Sequence, residues 1–217
     1  MKWSEEAWTA IESIYANILD LAFIKELTDG RLPKEKFIFY IRQDALYLSE
    51  YGKVLAGIAS RVSCPEHMKA FLSFAGESVS VEKALHESFL AGADKNASVE
   101  ASPSCLLYTS YLHRQMGSAP VEVILASVLP CFWIYKKVGD HILKNQIKQG
   151  NPYQEWINTY GGEEFEDSVN LAISICDEYA AKCTPEQRDA MTRSFVMCSK
   201  MEWLFWDSAY REEQWNV

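Results

Sequence analysis

Leu129-Pro130-Cys131-Phe132-Trp133-Ile134-Tyr135-Lys136-Lys137-Val138-Gly139 sets a cysteine in an apolar, aromatic run directly after a proline. Helical spacing puts Ile124, Val128, Cys131 and Tyr135 on one face, because residues three, four and seven apart lie over one another. The thiol therefore points where a phenol also points. Proline has no amide hydrogen, so Pro130 cannot donate to the Ala126 carbonyl, and its ring crowds that carbonyl. A kink that helps aim the thiol is expected there. Taken alone, a buried cysteine is most often a small apolar filler, so its meaning depends on the rest of the chain.

Outward from this stretch the helical pattern continues. Ser118-Ala119-Pro120 opens the long helix, which should end before Asn151-Pro152. Tyr153 to Ile157 makes a short helical turn, Tyr160-Gly161-Gly162 a break, and a further helix covers about Glu163 to Lys182. Thr184-Pro185-Glu186-Gln187 has the form of an N-terminal cap for a last helix to Arg211. Toward the amino terminus, apolar residues recur at helical spacing from Ser4 to Leu27 until Asp29-Gly30 stops them. A second helix runs from Pro33 to Arg61, where a proline suits a first turn. A third covers Glu66 to Leu90, a polar loop Ala91 to Pro103, and a fourth helix Ser104 to Gly117. Strand-like alternation and internal repeats are missing, so the expectation is an all-α, single-domain bundle of roughly seven helices.

With 217 residues and 48% hydrophobic content, one sizeable core is expected. Lys+Arg 21 against Asp+Glu 30 gives a net charge of −9, which repels phosphate backbones and anionic lipid. Nucleic acid and membrane are not expected partners. The amino terminus enters an acidic amphipathic pattern without a signal-type apolar run, so a cytoplasmic protein is expected. Cys64, Cys105, Cys131, Cys176, Cys183 and Cys198 include no Cys-x-x-Cys pair, and free thiols are expected. His67, His86, His113 and His141 lack zinc or di-iron spacing, so neither metal nor other cofactor is expected.

Two acids sit oddly. Asp44 shares a face with Phe37, Tyr40, Tyr47, Leu48 and Tyr51, while Glu202 shares one with Phe195, Cys198, Ser199, Phe205, Trp206 and Ala209. A carboxylate among apolar residues is costly unless hydrogen-bonded. Buried without a cation, it acquires a raised pKa suited to proton donation near neutral pH. The bland alternatives are a half-exposed face for Asp44 and an ion pair of Glu202 with Arg42 or Arg114. Tyr108, Tyr135 and Tyr160 near the helix breaks have the apolar body and polar tip that hold a flat heterocycle.

Gln43-Asp44 with Tyr47, Tyr108-Thr109-Ser110, Leu129-Pro130-Cys131 with Trp133 and Tyr135, Trp156 with Thr159-Tyr160-Gly161-Gly162, and Ser199-x-x-Glu202-x-x-Phe205-Trp206 together resemble the thiaminase II family of the TenA type. The resemblance runs from the opening helix to Ala209-Tyr210-Arg211. It implies the helical fold of haem oxygenases without the haem, and a homotetramer. It also implies hydrolysis of 4-amino-5-aminomethyl-2-methylpyrimidine to its 5-hydroxymethyl counterpart with loss of ammonia, and cleavage of thiamine in many members. In that pattern Cys131 is the nucleophile that adds to the pyrimidine, Glu202 the proton donor, and Tyr47 an activator of the thiol. Asp44 binds the amino edge of the ring, Tyr135 and Tyr160 orient it, and Tyr108 and Phe205 complete the pocket. The competing readings are a binding or regulatory protein that holds the pyrimidine unchanged, and a cofactorless oxidase, which would want more histidines.

Overall fold

A computed structural model describes residues 2–89, 99–147 and 150–217. Its elements are α1 (Trp3–Asp20), α2 (Ala22–Thr28), α3 (Lys34–Ala59), α4 (Pro65–Phe89), α5 (Pro103–Ser118), α6 (Val121–Asn145), α7 (Gln154–Gly161), α8 (Glu163–Ala180) and α9 (Pro185–Tyr210). No strand occurs among the described residues. The all-α expectation holds.

The expected opening helix is divided. Leu21 adopts an extended conformation (φ −59°, ψ 140°) between α1 and α2, yet the apolar period carries across because Phe23, Ile24 and Leu27 of α2 reach the core that Ala7, Ile11 and Ile18 of α1 also enter. Gly30 then takes φ +66°, a left-handed conformation open to glycine. Pro33 and Pro120 occupy cap positions of α3 and α6, not the first turn. Tyr160 and Gly161 belong to α7, and the break falls at Gly162. Most of the expected loop from Ala91 lies outside the described residues; Pro103 starts α5, whose Ser102 cap accepts a hydrogen bond from the Cys105 amide.

The middle of the molecule is α6. It packs on α2, α3, α5, α7, α8 and α9, which explains its near-continuous apolar run from Val123 to Pro130, all of it buried. The helix continues through Pro130. Buried residues from Trp3 to Ala209 form one hydrophobic cluster around it. The last helix, α9, lies along α6 and is started by a reciprocal cap in which Thr184 and Gln187 bond each other's backbone. Cys131 of α6 and Glu202 of α9 thereby come from adjoining elements.

Candidate active site

A cavity of about 90 Å³ opens between α3, α4, α6 and the α7–α8 junction. Cys131 and Tyr135 of α6, Asp44 and Tyr51 of α3, and Thr159 and Tyr160 of α7 are among its lining residues. The aspartate is 3% exposed, which removes the reading of a half-wetted face. Cys131 is partly accessible, as a group that must meet a small molecule has to be. Tyr135 and Tyr160 stand with ring centroids 4.9 Å apart. The Tyr135 hydroxyl accepts from Tyr40 at 3.3 Å, and Tyr40 accepts from the Trp156 indole at 3.2 Å. Such a chain fixes where the Tyr135 oxygen sits.

Glu202 is not among the lining residues and is 1% exposed. It accepts a 2.7 Å hydrogen bond from the Tyr108 hydroxyl, not a charge from Arg42 or Arg114. Its pKa is raised to about 8, chiefly by burial, with the Tyr108 hydrogen bond opposing the rise and the charge of Asp44 adding to it. At neutral pH the carboxyl is therefore mostly protonated. This is the state a proton donor needs.

The thiol's surroundings act in opposing senses. Burial pushes the Cys131 thiol well above its ordinary value, and a charge on Glu202 pushes the same way; the Tyr47 hydroxyl favours the thiolate, Asp44 disfavours it, and Tyr51 again favours it. The Tyr47 hydroxyl is buried with no hydrogen-bond acceptor among the described residues, so its donor is unspent. Its ring stacks on Tyr51 and tilts against Tyr108 and Phe205. Both groups, thiol and carboxyl, are protonated at rest.

The expected residues thus fall into two shells. Cys131, Asp44, Tyr135 and Tyr160 line the cavity, whereas Tyr47, Tyr108, Glu202 and Phe205 are buried outside its lining, Tyr47 in ring contact with Tyr108 and Phe205, and Tyr108 bonded to Glu202. Two tyrosines were not given roles by sequence reasoning. Tyr51 lines the cavity and donates to the Val128 carbonyl at 2.8 Å, one turn before the thiol, and Tyr40 anchors Tyr135. A tyrosine on an aromatic helix face reads as ordinary core; the spacing of Tyr51 seven residues after Asp44 was the available signal. Among the described residues no group of three or more His, Cys, Asp or Glu side chains is placed to hold a metal ion. Nor is any helix among them long and apolar enough to cross a membrane.

Fold and site together define an all-α protein that encloses a small aromatic-lined pocket, with a thiol at its wall and an uncharged carboxyl buried outside its lining. Residues 8–212 match the TENA/THI-4/PQQC family, and the chain belongs to that family. It is 34% identical to the aminopyrimidine aminohydrolase of Bacillus subtilis over 221 residues, taking in 100% of this chain and 93% of that one. A TenA homologue from P. horikoshii OT3 has the same fold, with a TM-score of 0.85 at 27% identity over 97% of this chain and 99% of that one. A domain with a haem oxygenase-like fold from Shewanella denitrificans OS217 matches at a TM-score of 0.78 and 14% identity over 98% of this chain and 93% of that one. The last is a likeness of fold alone.

Proposed function

We propose that this chain is a hydrolase of thiamine salvage, converting 4-amino-5-aminomethyl-2-methylpyrimidine to the 5-hydroxymethyl compound with release of ammonia. The observation that carries this reading is a pocket thiol, Cys131, backed by a carboxyl, Glu202, whose pKa of about 8 keeps it an acid at neutral pH. The 34% identity with an aminopyrimidine aminohydrolase along the whole chain supports the substrate class.

An aromatic ring resists substitution at its side arm until a nucleophile breaks the conjugation. Asp44 holds the amino edge of the pyrimidine and the Tyr135 and Tyr160 rings hold its face. The substrate's basic amine takes the thiol proton as the Cys131 sulfur bonds to a ring carbon, and Glu202 protonates a ring nitrogen. The carbon–nitrogen bond of the side arm then breaks and ammonia leaves. Water adds its oxygen to the same side-arm carbon, the sulfur–carbon bond breaks, and thiol and carboxyl regain their protons. One water enters and one ammonia departs. The Tyr47 hydroxyl steadies the sulfur while it carries negative charge, and Tyr108 orients the Glu202 carboxyl. Phe205 packs against Tyr40 and Tyr47.

Thiamine presents the same pyrimidine with a thiazolium in place of the amine, and we extend the proposal to its cleavage. The chain is proposed to act as a single domain, without a cofactor, in the cytoplasm and as a homotetramer. Cys131→Ser and Glu202→Gln are each expected to keep the fold and abolish ammonia release from the aminomethylpyrimidine; unimpaired turnover in both would sink the assignment. Mass spectrometry of parallel incubations with thiamine reads the second reaction.

A further inference from the structure

Cys131, Tyr135 and Gly139 follow one another at i, i+4 and i+8, a single helix face. Gly139 is buried, and a Cβ built on it would lie 2.6 Å from the Tyr160 carbonyl carbon, 2.7 Å from its oxygen and 2.8 Å from the Gly161 nitrogen. All three are backbone atoms, so no side chain can swing aside. Gly161 answers from the other side, where a Cβ would lie 3.5 Å from the Gly139 oxygen and 3.3 Å from Leu143 Cδ2. The end of α7 is thus seated directly on the backbone of α6.

A buried lysine secures the next peptide. Lys136, 5% exposed, donates to the Gly161 carbonyl at 3.4 Å and pairs with Asp140 on its own helix at 2.6 Å and Glu166 of α8 at 3.2 Å. The two contacts thus hold the two successive peptides that follow Tyr160, whose ring lines the cavity with Cys131 and Tyr135. Tyr160 also rests on Trp156 and Phe165, at 4.8 Å and 5.5 Å between centroids. With the ring trapped in this way, the height of its backbone above α6 sets the position of the wall facing the thiol.

We propose that Gly139 is a positioning residue of the pocket: its missing side chain sets the width of the slot between Cys131 and Tyr160 to that of a flat heteroaromatic ring, and Lys136 locks that setting. The proposal rests on the pyrimidine reading of the site. A methyl group at Gly139 displaces the Tyr160 peptide by about 1 Å, and misplacement of that size lowers rates by about 100-fold.

The test is Gly139→Ala beside the unaltered protein, with circular dichroism for fold, ammonia release for kcat and KM, iodoacetamide alkylation of Cys131, and calorimetric binding of the 5-hydroxymethyl pyrimidine. A folded variant is expected whose kcat/KM falls about 100-fold and whose product binding weakens at least tenfold, while alkylation stays within threefold because the thiol's own helix is undisturbed. Kinetics within threefold of the unaltered protein overturn the proposal, as does a loss of activity matched by an equal change in alkylation, which indicates general loosening. Should Gly139→Ala fail to fold, Lys136→Met decides: a tenfold fall in kcat/KM with unchanged alkylation supports the lock and unchanged kinetics overturn it. An unaltered protein that binds the pyrimidine but releases no ammonia sinks the hydrolase reading instead, and weakened binding in Gly139→Ala still supports the slot.

Discussion

Burial holds a proton on Glu202 up to about pH 8, and this shapes stability as well as chemistry. In the unfolded chain a glutamate ionises near 4.3, so between there and about pH 8 the unfolded state releases a proton that the folded state keeps. The folded state is thus undiminished at low pH and loses stability as pH rises through this window, by up to about 5 kcal/mol at about 1.4 kcal/mol per unit. Glutamine carries no such proton. Glu202→Gln is therefore expected to melt close to the unaltered protein at pH 5 and well above it at pH 8; a constant offset between the two melting curves would count against a neutral Glu202. Tyr108 gives the converse test through activity, because its hydrogen bond lowers the Glu202 pKa. Tyr108→Phe should reduce kcat and move the alkaline limb of the rate profile to higher pH. At this scale the acids and the thiol were legible in the sequence, since a polar group on an apolar face is conspicuous. Tyr40, Tyr51 and Gly139 were not, because their significance lies in what another helix brings against them.

Helix α9 shows how an element can be necessary to the site and yet remote from it at one end. Its Thr184 oxygen accepts the Gln187 amide at 3.3 Å, the Gln187 side chain accepts the Thr184 amide at 2.8 Å, and Gln187 reaches on to the buried Glu122 of α6 at 2.9 Å. Removing the cap with Thr184→Ala should cost about 1 kcal/mol, read by chemical denaturation. Glu202 lies 18 residues further along, about 27 Å at 1.5 Å per residue, so kcat should stay within twofold. A larger loss would mean that fraying travels the length of the helix. This cap could be read from Thr184-Pro185-Glu186-Gln187 because all its parts are local. The division at Leu21 could not: neither glycine nor proline marks it, and both halves bury the same apolar stripe. Gly162 as the break after α7 was displaced by only a residue or two from the expected Tyr160-Gly161-Gly162, since either glycine permits a helix end and packing against Gly139 decides between them.

Across the whole molecule, the all-α architecture followed from periodicity and the site from motifs spread along the chain, but surface and core residues of one apolar stripe look alike until the helices are assembled. Met68, Leu72 and Val79 of α4 make this plain. Spaced by four and seven, they share one face, an apolar stripe of the kind that packs into a core. In the structure they are 43%, 54% and 53% exposed, while α4 turns its other side to α3 and Phe71 and Phe74 inward. Leu106 and Leu107 on α5 are also exposed. Water contact with such a stripe is unfavourable, and burial of apolar surface on association is worth about 25 cal/mol per Å² before its entropic costs. Association through α4 is consistent with the homotetramer proposed above. Light scattering should give a mass near four times the 24.8 kDa of one chain, and Leu72→Glu, which sets a charge in the middle of the stripe, should lower that mass while leaving the helical circular dichroism signal unchanged. A single-chain mass for the unaltered protein would remove the tetramer, and an intact assembly in Leu72→Glu would move its interface away from α4.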